Sequence, residues 1–223
     1  MGTCIRNLSD GAVLVAADDT WIEGKAIQQL ETTARLAGMH RVAGMPDLHP
    51  GRGYPVGAAF FSVGRFYPAL VGNDIGCGMA LWRTDIPTAK LHLDKLEKRL
   101  GNLDLPLDES WQEAIGAFGL PATGHQRSLG TIGGGNHFAE LQQLDESYDD
   151  EALAALGIER KHLLLLVHSG SRGLGEAILR EQIDLFGHQG LEAGSEASCH
   201  YLKRHDGALQ FAEANRQLIA RRM

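Results

Sequence analysis

The residues best suited to chemistry in this sequence are a carboxylate and a thiol, Asp74 and Cys77, in the stretch 71–79. Both side chains bind metal ions once they are deprotonated. Glycines surround them at positions 72, 76 and 78, and glycine lets a backbone fold tightly around a small object. Apolar residues flank the stretch and predict a strand, a turn bearing the ligands and a second strand. On this stretch alone, a small buried cysteine in a glycine-rich turn is about as well supported.

A second glycine cluster precedes a histidine. Three consecutive glycines, 133–135, are followed by Asn136 and His137, and the alternating pattern of residues 138–144 predicts a strand. Alternation would place His137 and Ala139 on one face and Asn136, Phe138 and Glu140 on the other. A lone histidine here would more often be a core residue, but the neighbouring glycines favour a ligand.

A third cluster follows the apolar run 163–167, which predicts a buried strand. His168, Ser169, Ser171 and Arg172 come next, among glycines, and a helix is predicted over 176–186. A glycine loop between a strand and a helix start favours anion binding, to which the serine hydroxyls and the arginine would add donors. A glycine-serine turn with an exposed arginine is the alternative.

The sequence around these clusters predicts a mixture of helices and strands that must position them. We expect an α+β fold in which residues 1–223 form a single domain and the glycine loops converge at one rim. Strands are predicted over 12–17, 58–63 and 66–71. The prolines and glycines of 45–57 predict a loop carrying Asp47, His49 and Arg52. Helices are predicted from Trp21 to Leu36, over 90–100 and 109–118, and from Ala208 to about Arg221.

Bulk composition excludes several classes of protein. The chain has 223 residues, a net charge of −7 and three cysteines. So few cysteines argue against a disulfide framework, and neither a signal peptide nor an 18-residue apolar run is evident, so we expect a cytoplasmic protein without membrane contact. Without a long basic tract, any contact with nucleic acid must come from a local arginine patch on an acidic body.

The three clusters together predict a metal site beside a phosphate site. Asp74, Cys77, His137 and His168 all lie beside glycine turns at strand ends, with Asn136, Glu140 and Arg172 next to them. A thiolate and two imidazoles are typical ligands of zinc or another soft ion. Ligand chemistry alone therefore indicates zinc.

Four motifs, in this order, resemble those of the RtcB family of RNA ligases. They are residues 45–51 (MPDLHPG), 71–78 (VGNDIGCG), 130–138 (GTIGGGNHF) and 168–175 (HSGSRGLG). The resemblance runs from about Trp21 to the end of the chain. It implies an enzyme that joins RNA ends bearing a 3′-phosphate or 2′,3′-cyclic phosphate to 5′-hydroxyl ends, with GTP and manganese. Such ligation serves RNA repair and tRNA processing.

The resemblance also implies roles for individual residues. Asp74, Cys77 and His137 would hold one ion, and Cys77 and His168 would contribute to a second, with zinc or cobalt as substitutes for manganese. Residues 136–140, namely Asn136, His137, Phe138, Ala139 and Glu140, would line the guanylate pocket. Arg172, with Ser169 and Ser171, would hold an RNA phosphate.

One departure from the family pattern matters. The family carries a histidine that becomes guanylylated, and none of the ten histidines here lies in a matching motif. We therefore expect the N-terminal portion of a ligase, inactive alone, that self-associates through surface exposed by truncation. Two alternatives are a metal-dependent phosphoesterase and an inert metal- or nucleotide-binding module.

Overall fold

The computed structural model describes residues 4–223, and it has the expected mixture of helices and strands. The chain divides into two compact units. One contains the described residues up to Gly72 together with Leu179–Leu202, and the other contains Asn73–Ile178 together with Lys203–Met223. None of the helices within residues 4–223 is long and apolar enough to cross a membrane.

The first unit contains a four-stranded sheet in the order β1-β2-β3-β4. Strands β2 and β3 are parallel, whereas the other neighbours are antiparallel. Ala26 and Leu30 of helix α1 are fully buried and pack in one apolar cluster with Leu14 of β2 and Val42 of β3. The elements are β1 (Ile5–Ser9), β2 (Ala12–Val15), α1 (Gly24–Ala34), β3 (Met39–Pro50) and β4 (Pro55–Ser62).

Two predictions for this unit were wrong. The loop predicted over 45–57 is mostly strand, because β3 continues to Pro50 and β4 begins at Pro55. Its prolines are tolerated because β2 pairs with β3 only as far as Gly44, and the β3–β4 register shifts between Gly44 and His49. The strand predicted over 66–71 ends at Phe66, in β5 (Arg65–Phe66), and helix α2 (Pro68–Val71) follows. Pro68 begins that helix, where its missing N–H costs nothing.

The second unit is built on a three-stranded antiparallel sheet in the order β6-β8-β7. Leu165, Val167 and Ile219 form the centre of its core. Its strands are β6 (Gly78–Pro87), β7 (Phe138–Gln142) and β8 (His162–Ser169), and its short helices are α3 (Leu93–Leu100), α4 (Gln112–Gly116) and α5 (Asp150–Ala155). The sheet therefore places the ends of β6, β7 and β8 beside the three glycine clusters.

Two longer helices have residues in both units, and a short strand lies between them. They are α6 (Gly173–Phe186), β9 (Leu191–Glu192), which pairs with β5, and α7 (Glu196–Arg222). The helix predicted from Ala208 therefore begins twelve residues earlier, at Glu196. Ser195 explains the start, because its hydroxyl accepts a hydrogen bond from the backbone amide of Ser198 at 3.2 Å. Gly207 is accommodated within the helix.

Candidate metal centre

A tight turn between α2 and β6 presents Asp74 and Cys77. The backbone amide of Cys77 donates to the carbonyl of Asp74 at 3.0 Å and closes the turn. Gly76 has a φ of +74°, and a Cβ there would lie 2.9 Å from Ala212 of α7. The glycine is therefore required both for the backbone conformation and for the close approach of the helix.

Two antiparallel strands bring the histidines to this turn. His168 lies at the end of β8, opposite Met79 of β6 and Phe138 of β7. His137 immediately precedes β7, so it does not follow the predicted strand alternation, and its ring centroid lies 5.8 Å from that of His168. Both imidazoles therefore reach the site occupied by Cys77.

The ligand atoms converge closely. The Nε2 atom of His137 lies 2.7 Å from Oδ2 of Asp74 and 3.4 Å from the sulfur of Cys77. Single ligand atoms of these three residues all lie within 4.8 Å of one another. The Nε2 atom of His168 lies 3.1 Å from the same sulfur. Cys77 therefore stands between the two histidines, and the geometry suits one ion on the Asp74–His137 side of its sulfur.

The surroundings of the donors fit a metal ion. The Nδ1 atom of His137 lies 3.1 Å from the carbonyl oxygen of Ile132, the type of contact that orients metal-binding histidines. Partial desolvation of the thiol, although Cys77 is exposed as a residue, and the Asp74 carboxylate raise the pKa of Cys77 to about 11. A metal ion must therefore displace the thiol proton. Desolvation, with a smaller effect from His137, lowers the pKa of His168 and favours its neutral, ligating form.

Arg172 borders the metal centre in an unusual conformation. It is the one residue besides glycine, within the described part of the chain, with a positive φ, 58°. Its backbone amide donates to Oδ1 of Asp74 at 3.0 Å, and its guanidinium packs against Gly133, where a Cβ would overlap it. Its Nη1 atom lies 3.2 Å from Nδ1 of His137.

The two contacts of His137 Nδ1 require different tautomers. A neutral ring that donates from Nε2 to Asp74 leaves Nδ1 free to accept from Arg172. A ring that donates from Nδ1 to Ile132 leaves Nε2 free to bind a metal ion but removes the acceptor of Arg172. The site therefore has one set of contacts suited to the metal-free form and another suited to metal binding.

The serines predicted beside Arg172 are fully buried. The hydroxyl of Ser169 donates to the carbonyl of Ile132 at 3.2 Å, and the hydroxyl of Ser171 has no hydrogen-bond partner. Neither hydroxyl is open to a phosphate in this arrangement. Arg172 is therefore the residue of the three that is best placed to contact one.

The residues predicted for the guanylate pocket lie on both sides of the sheet. Phe138 contacts His168 edge-on at 5.5 Å, and strand alternation places Glu140 on the same face. Asn136 is exposed just before the strand. Ala139 lies on the opposite face and packs with the core around Val167. Its side chain is therefore directed away from those of Phe138 and Glu140.

Two residues near this site were not singled out from the sequence. Asn215 and Arg216 of α7 donate hydrogen bonds to the turns that carry the ligands. The signal for Asn215 was a polar residue at helical spacing among the apolar positions 208, 211, 212, 218 and 219. The sequence predicts a helix from Ala208 to about Arg221 but assigns it no role in the site.

Comparisons with known proteins agree with this arrangement. A family model described as tRNA-splicing ligase RtcB matches residues 29–114 and 120–223. RNA-splicing ligase RtcB2 of Escherichia coli strain ATCC 25922 is 60% identical over 223 residues, which are 100% of this chain and 59% of that relative. The tRNA-splicing ligase RtcB of Nanoarchaeum equitans is 31% identical, covering 91% of this chain and 54% of that relative.

A third relative, the tRNA-splicing ligase RtcB of Thermococcus kodakarensis, is 29% identical over 92% of this chain and 56% of its own length. The chain thus spans between half and three fifths of the length of these three curated relatives. The family match covers the turns that carry Asp74, Cys77, His137 and His168. On the family match and the identity to these ligases, the chain belongs to the RtcB family of tRNA-splicing ligases.

Proposed function

We propose that this chain is part of a metal- and GTP-dependent RNA ligase that joins 3′-phosphate or 2′,3′-cyclic phosphate ends to 5′-hydroxyl ends. The observation that carries the proposal is the convergence of Asp74, Cys77 and His137 within 4.8 Å. Family membership supports RNA as the substrate. A divalent ion, when bound, would neutralise phosphate charge and orient the reacting oxygens.

Each residue near the centre has a proposed role in binding. Asp74, Cys77 and His137 hold one ion, while Cys77 and His168 contribute to a second. Arg172 holds a phosphate of the RNA through its guanidinium, which suits bidentate contact with phosphate oxygens. Ser169 and Ser171 are buried, so the proposed phosphate contact is assigned to Arg172 and not to the two serines.

The guanylate pocket is proposed on the face of the sheet that bears His168. Phe138 offers an aromatic surface there, and Asn136 and Glu140 offer polar groups. Because the Ala139 side chain packs into the core, we leave it out of this proposal. Manganese is the proposed ion, and zinc and cobalt are alternatives because the thiolate and imidazoles suit them as well.

RNA binding gives a direct test of this proposal. Titration of the chain with a fluorescent RNA oligonucleotide should show at least about 10-fold tighter binding for a 3′-phosphate end than for a 3′-hydroxyl end when manganese is present. Arg172→Ala should remove that preference, whereas replacement of the exposed Arg127 by alanine should leave it intact. Equal affinity for the two ends in the presence of bound manganese would contradict the proposal.

Reaction assays separate the alternatives. Since no histidine here matches the guanylylated motif, we expect no covalent GMP adduct after incubation with labelled GTP and manganese. Release of product from a cyclic-phosphate RNA end without GTP would indicate a metal-dependent phosphoesterase instead. Failure of manganese, cobalt and zinc to raise the thermal midpoint would indicate an inert module. Self-association stays a prediction that sedimentation velocity can test.

A further inference from the structure

One helix contacts all three turns that carry the candidate ligands. Asn215 lies in the middle of the buried face of α7 and is itself fully buried. Its Oδ1 atom accepts a hydrogen bond from the backbone amide of Gly130 at 2.7 Å. Its amide nitrogen donates towards the hydroxyl of Ser169 at 3.0 Å and the carbonyls of Thr131 and Gly170, each at 3.3 Å.

These contacts fix the orientation of the Asn215 amide. If the side-chain amide were rotated by half a turn, its NH₂ group would face the N–H of Gly130, donor against donor. Its oxygen would face three oxygen acceptors, acceptor against acceptor. The side chain therefore joins the turn before His137 to the turn after His168. Buried polar groups that are fully paired in this way make a local structure rigid, and removal of their partner is costly.

Arg216 makes the matching connection on the other side. Its Nη1 atom donates to the carbonyl of Gly76 at 2.7 Å and to the carbonyl of Ser169 at 2.8 Å. Gly76 directly precedes Cys77, and Ser169 directly follows His168. One nitrogen atom of Arg216 therefore links the residues next to Cys77 and His168. The sulfur of Cys77 and Nε2 of His168 lie 3.1 Å apart.

The packing of α7 makes this reach possible. Ala212 is fully buried and lies where a Cβ on Gly76 would approach it to 2.9 Å. Larger side chains at either position would separate the helix from the turn. The helix therefore lies close enough for Asn215 and Arg216 to form hydrogen bonds with the backbone of all three turns.

We propose that Asn215 and Arg216 are positioning residues of the candidate metal centre. Arg216 sets the separation of Cys77 and His168, and Asn215 sets the approach of the His137 turn to the His168 turn. Their hydrogen bonds go to the turns and not to the ligand side chains. The inference rests on the proposed metal centre, but its structural part can be tested without metal.

The variants are chosen to separate positioning from general stability. Asn215→Leu removes all the hydrogen bonds of that side chain at similar volume, and Arg216→Met removes both carbonyl contacts. Arg216→Lys keeps a cationic nitrogen donor and should restore part of the lost function. Ile219→Val is the control, because it loosens the core under the same helix without touching the polar contacts.

The first measurement is amide hydrogen exchange of the metal-free chain. Asn215→Leu should accelerate exchange at Gly130 and in the turn at residues 169–172, relative to Ile219→Val. Arg216→Met should accelerate exchange in the turns at residues 74–78 and 169–172, relative to the same control. The second measurement is the affinity for cobalt, which is monitored through the absorption of the cobalt–thiolate complex. We expect Asn215→Leu and Arg216→Met to weaken it about 10- to 100-fold, as loss of residues that orient metal ligands does, and Ile219→Val to leave it within about twofold.

The outcomes are distinguishable. Exchange in the turns that matches Ile219→Val, or cobalt affinity in the folded Asn215→Leu and Arg216→Met variants equal to that of the parent chain, would overturn the positioning role. If the parent chain itself binds no cobalt, the proposed metal function fails, while faster exchange in the three turns would still support the structural role. If Asn215→Leu does not fold, Arg216→Met and its lysine rescue decide the matter.

Discussion

Oδ1 of Asp74 accepts a hydrogen bond from the backbone amide of Arg172 at 3.0 Å, across 98 residues of sequence. The other carboxylate oxygen, Oδ2, lies 2.7 Å from Nε2 of His137. One side chain thus connects the turn at residue 74, the loop that begins α6 and the histidine before β7. We infer that Asp74 has a structural role and a metal-binding role that substitutions can separate.

The first prediction concerns that separation. Asp74→Asn keeps an oxygen that can accept from the Arg172 amide but loses the negative charge that faces His137. We expect the cobalt affinity to fall at least about 100-fold, because replacing a ligand should cost at least as much as replacing an outer residue that orients it. The free energy of unfolding of the metal-free chain should fall by no more than about 1 kcal/mol.

Asp74→Ala removes both functions and should be less stable than Asp74→Asn in chemical denaturation. Asp85→Asn, at an exposed position of β6, is the matched control for loss of one carboxylate. Equal stability of the alanine and asparagine variants would show that the contact with the Arg172 amide contributes nothing measurable.

The second prediction concerns a glycine that leaves room for the ligand. A Cβ at Gly170 would overlap the carboxylate of Asp74, whereas a Cβ at Gly134 would meet nothing within 4 Å. Gly170→Ala should therefore displace Asp74 and weaken cobalt binding at least about 10-fold. Gly134→Ala should leave the affinity within about twofold. Isothermal titration of both variants, with circular dichroism to establish folding, makes the comparison.

The sequence predicted the ligand turns better than the elements between them. Each candidate ligand lies beside glycines at a strand end, and the side chains of Asp74, Cys77, His137 and His168 do lie close together. That they bind a metal ion stays a prediction. The extension of β3 to Pro50 depends on pairing with β4, which local sequence does not encode. The roles of Asn215 and Arg216 depend on backbone carbonyls more than 40 residues away, and no residue pattern identifies such partners.

The third prediction is a release of protons on metal binding. The pKa of Cys77 is raised from 9.0 to about 11, so the thiol is protonated between pH 7 and 8.5 and must lose its proton to bind a metal ion. His168 does not add to this release, because its pKa is lowered from 6.5. The logarithm of the cobalt affinity should therefore rise by about one per pH unit in this range from the thiol alone.

Calorimetry in buffers of different ionisation enthalpy measures this release. Cys77→Ser should abolish the part of the proton release that comes from the thiol. Cys199→Ser, at an exposed position of α7, should leave the number of protons released unchanged. The same pKa shift also determines how the stability of the metal-free chain changes with pH. Since the folded-state pKa is the higher one, the contribution of Cys77 to stability is fully present below pH 9 and is lost as the pH rises towards 11.

The fourth prediction concerns the backbone of Arg172. Its φ of 58° favours glycine, and a residue with a Cβ pays about 1–2 kcal/mol in this conformation. Part of that difference is offset because glycine has more freedom in the unfolded chain, by about 0.5–1 kcal/mol. Arg172→Gly should therefore be more stable than Arg172→Ala by about 0.5–1 kcal/mol, although both lose the guanidinium beside Gly133 and His137.

Comparing these two variants isolates the backbone from the side chain. Urea denaturation gives their difference in stability, and RNA titration gives their shared loss of preference for a 3′-phosphate end. Arg172→Lys keeps the positive charge but not the planar guanidinium, so it should retain part of the phosphate affinity. Because lysine and alanine both carry a Cβ, the left-handed backbone conformation should destabilise both variants by the same amount. An alanine variant at least as stable as the glycine variant would mean that the Asp74 contact with the Arg172 amide does not hold this backbone in the left-handed region.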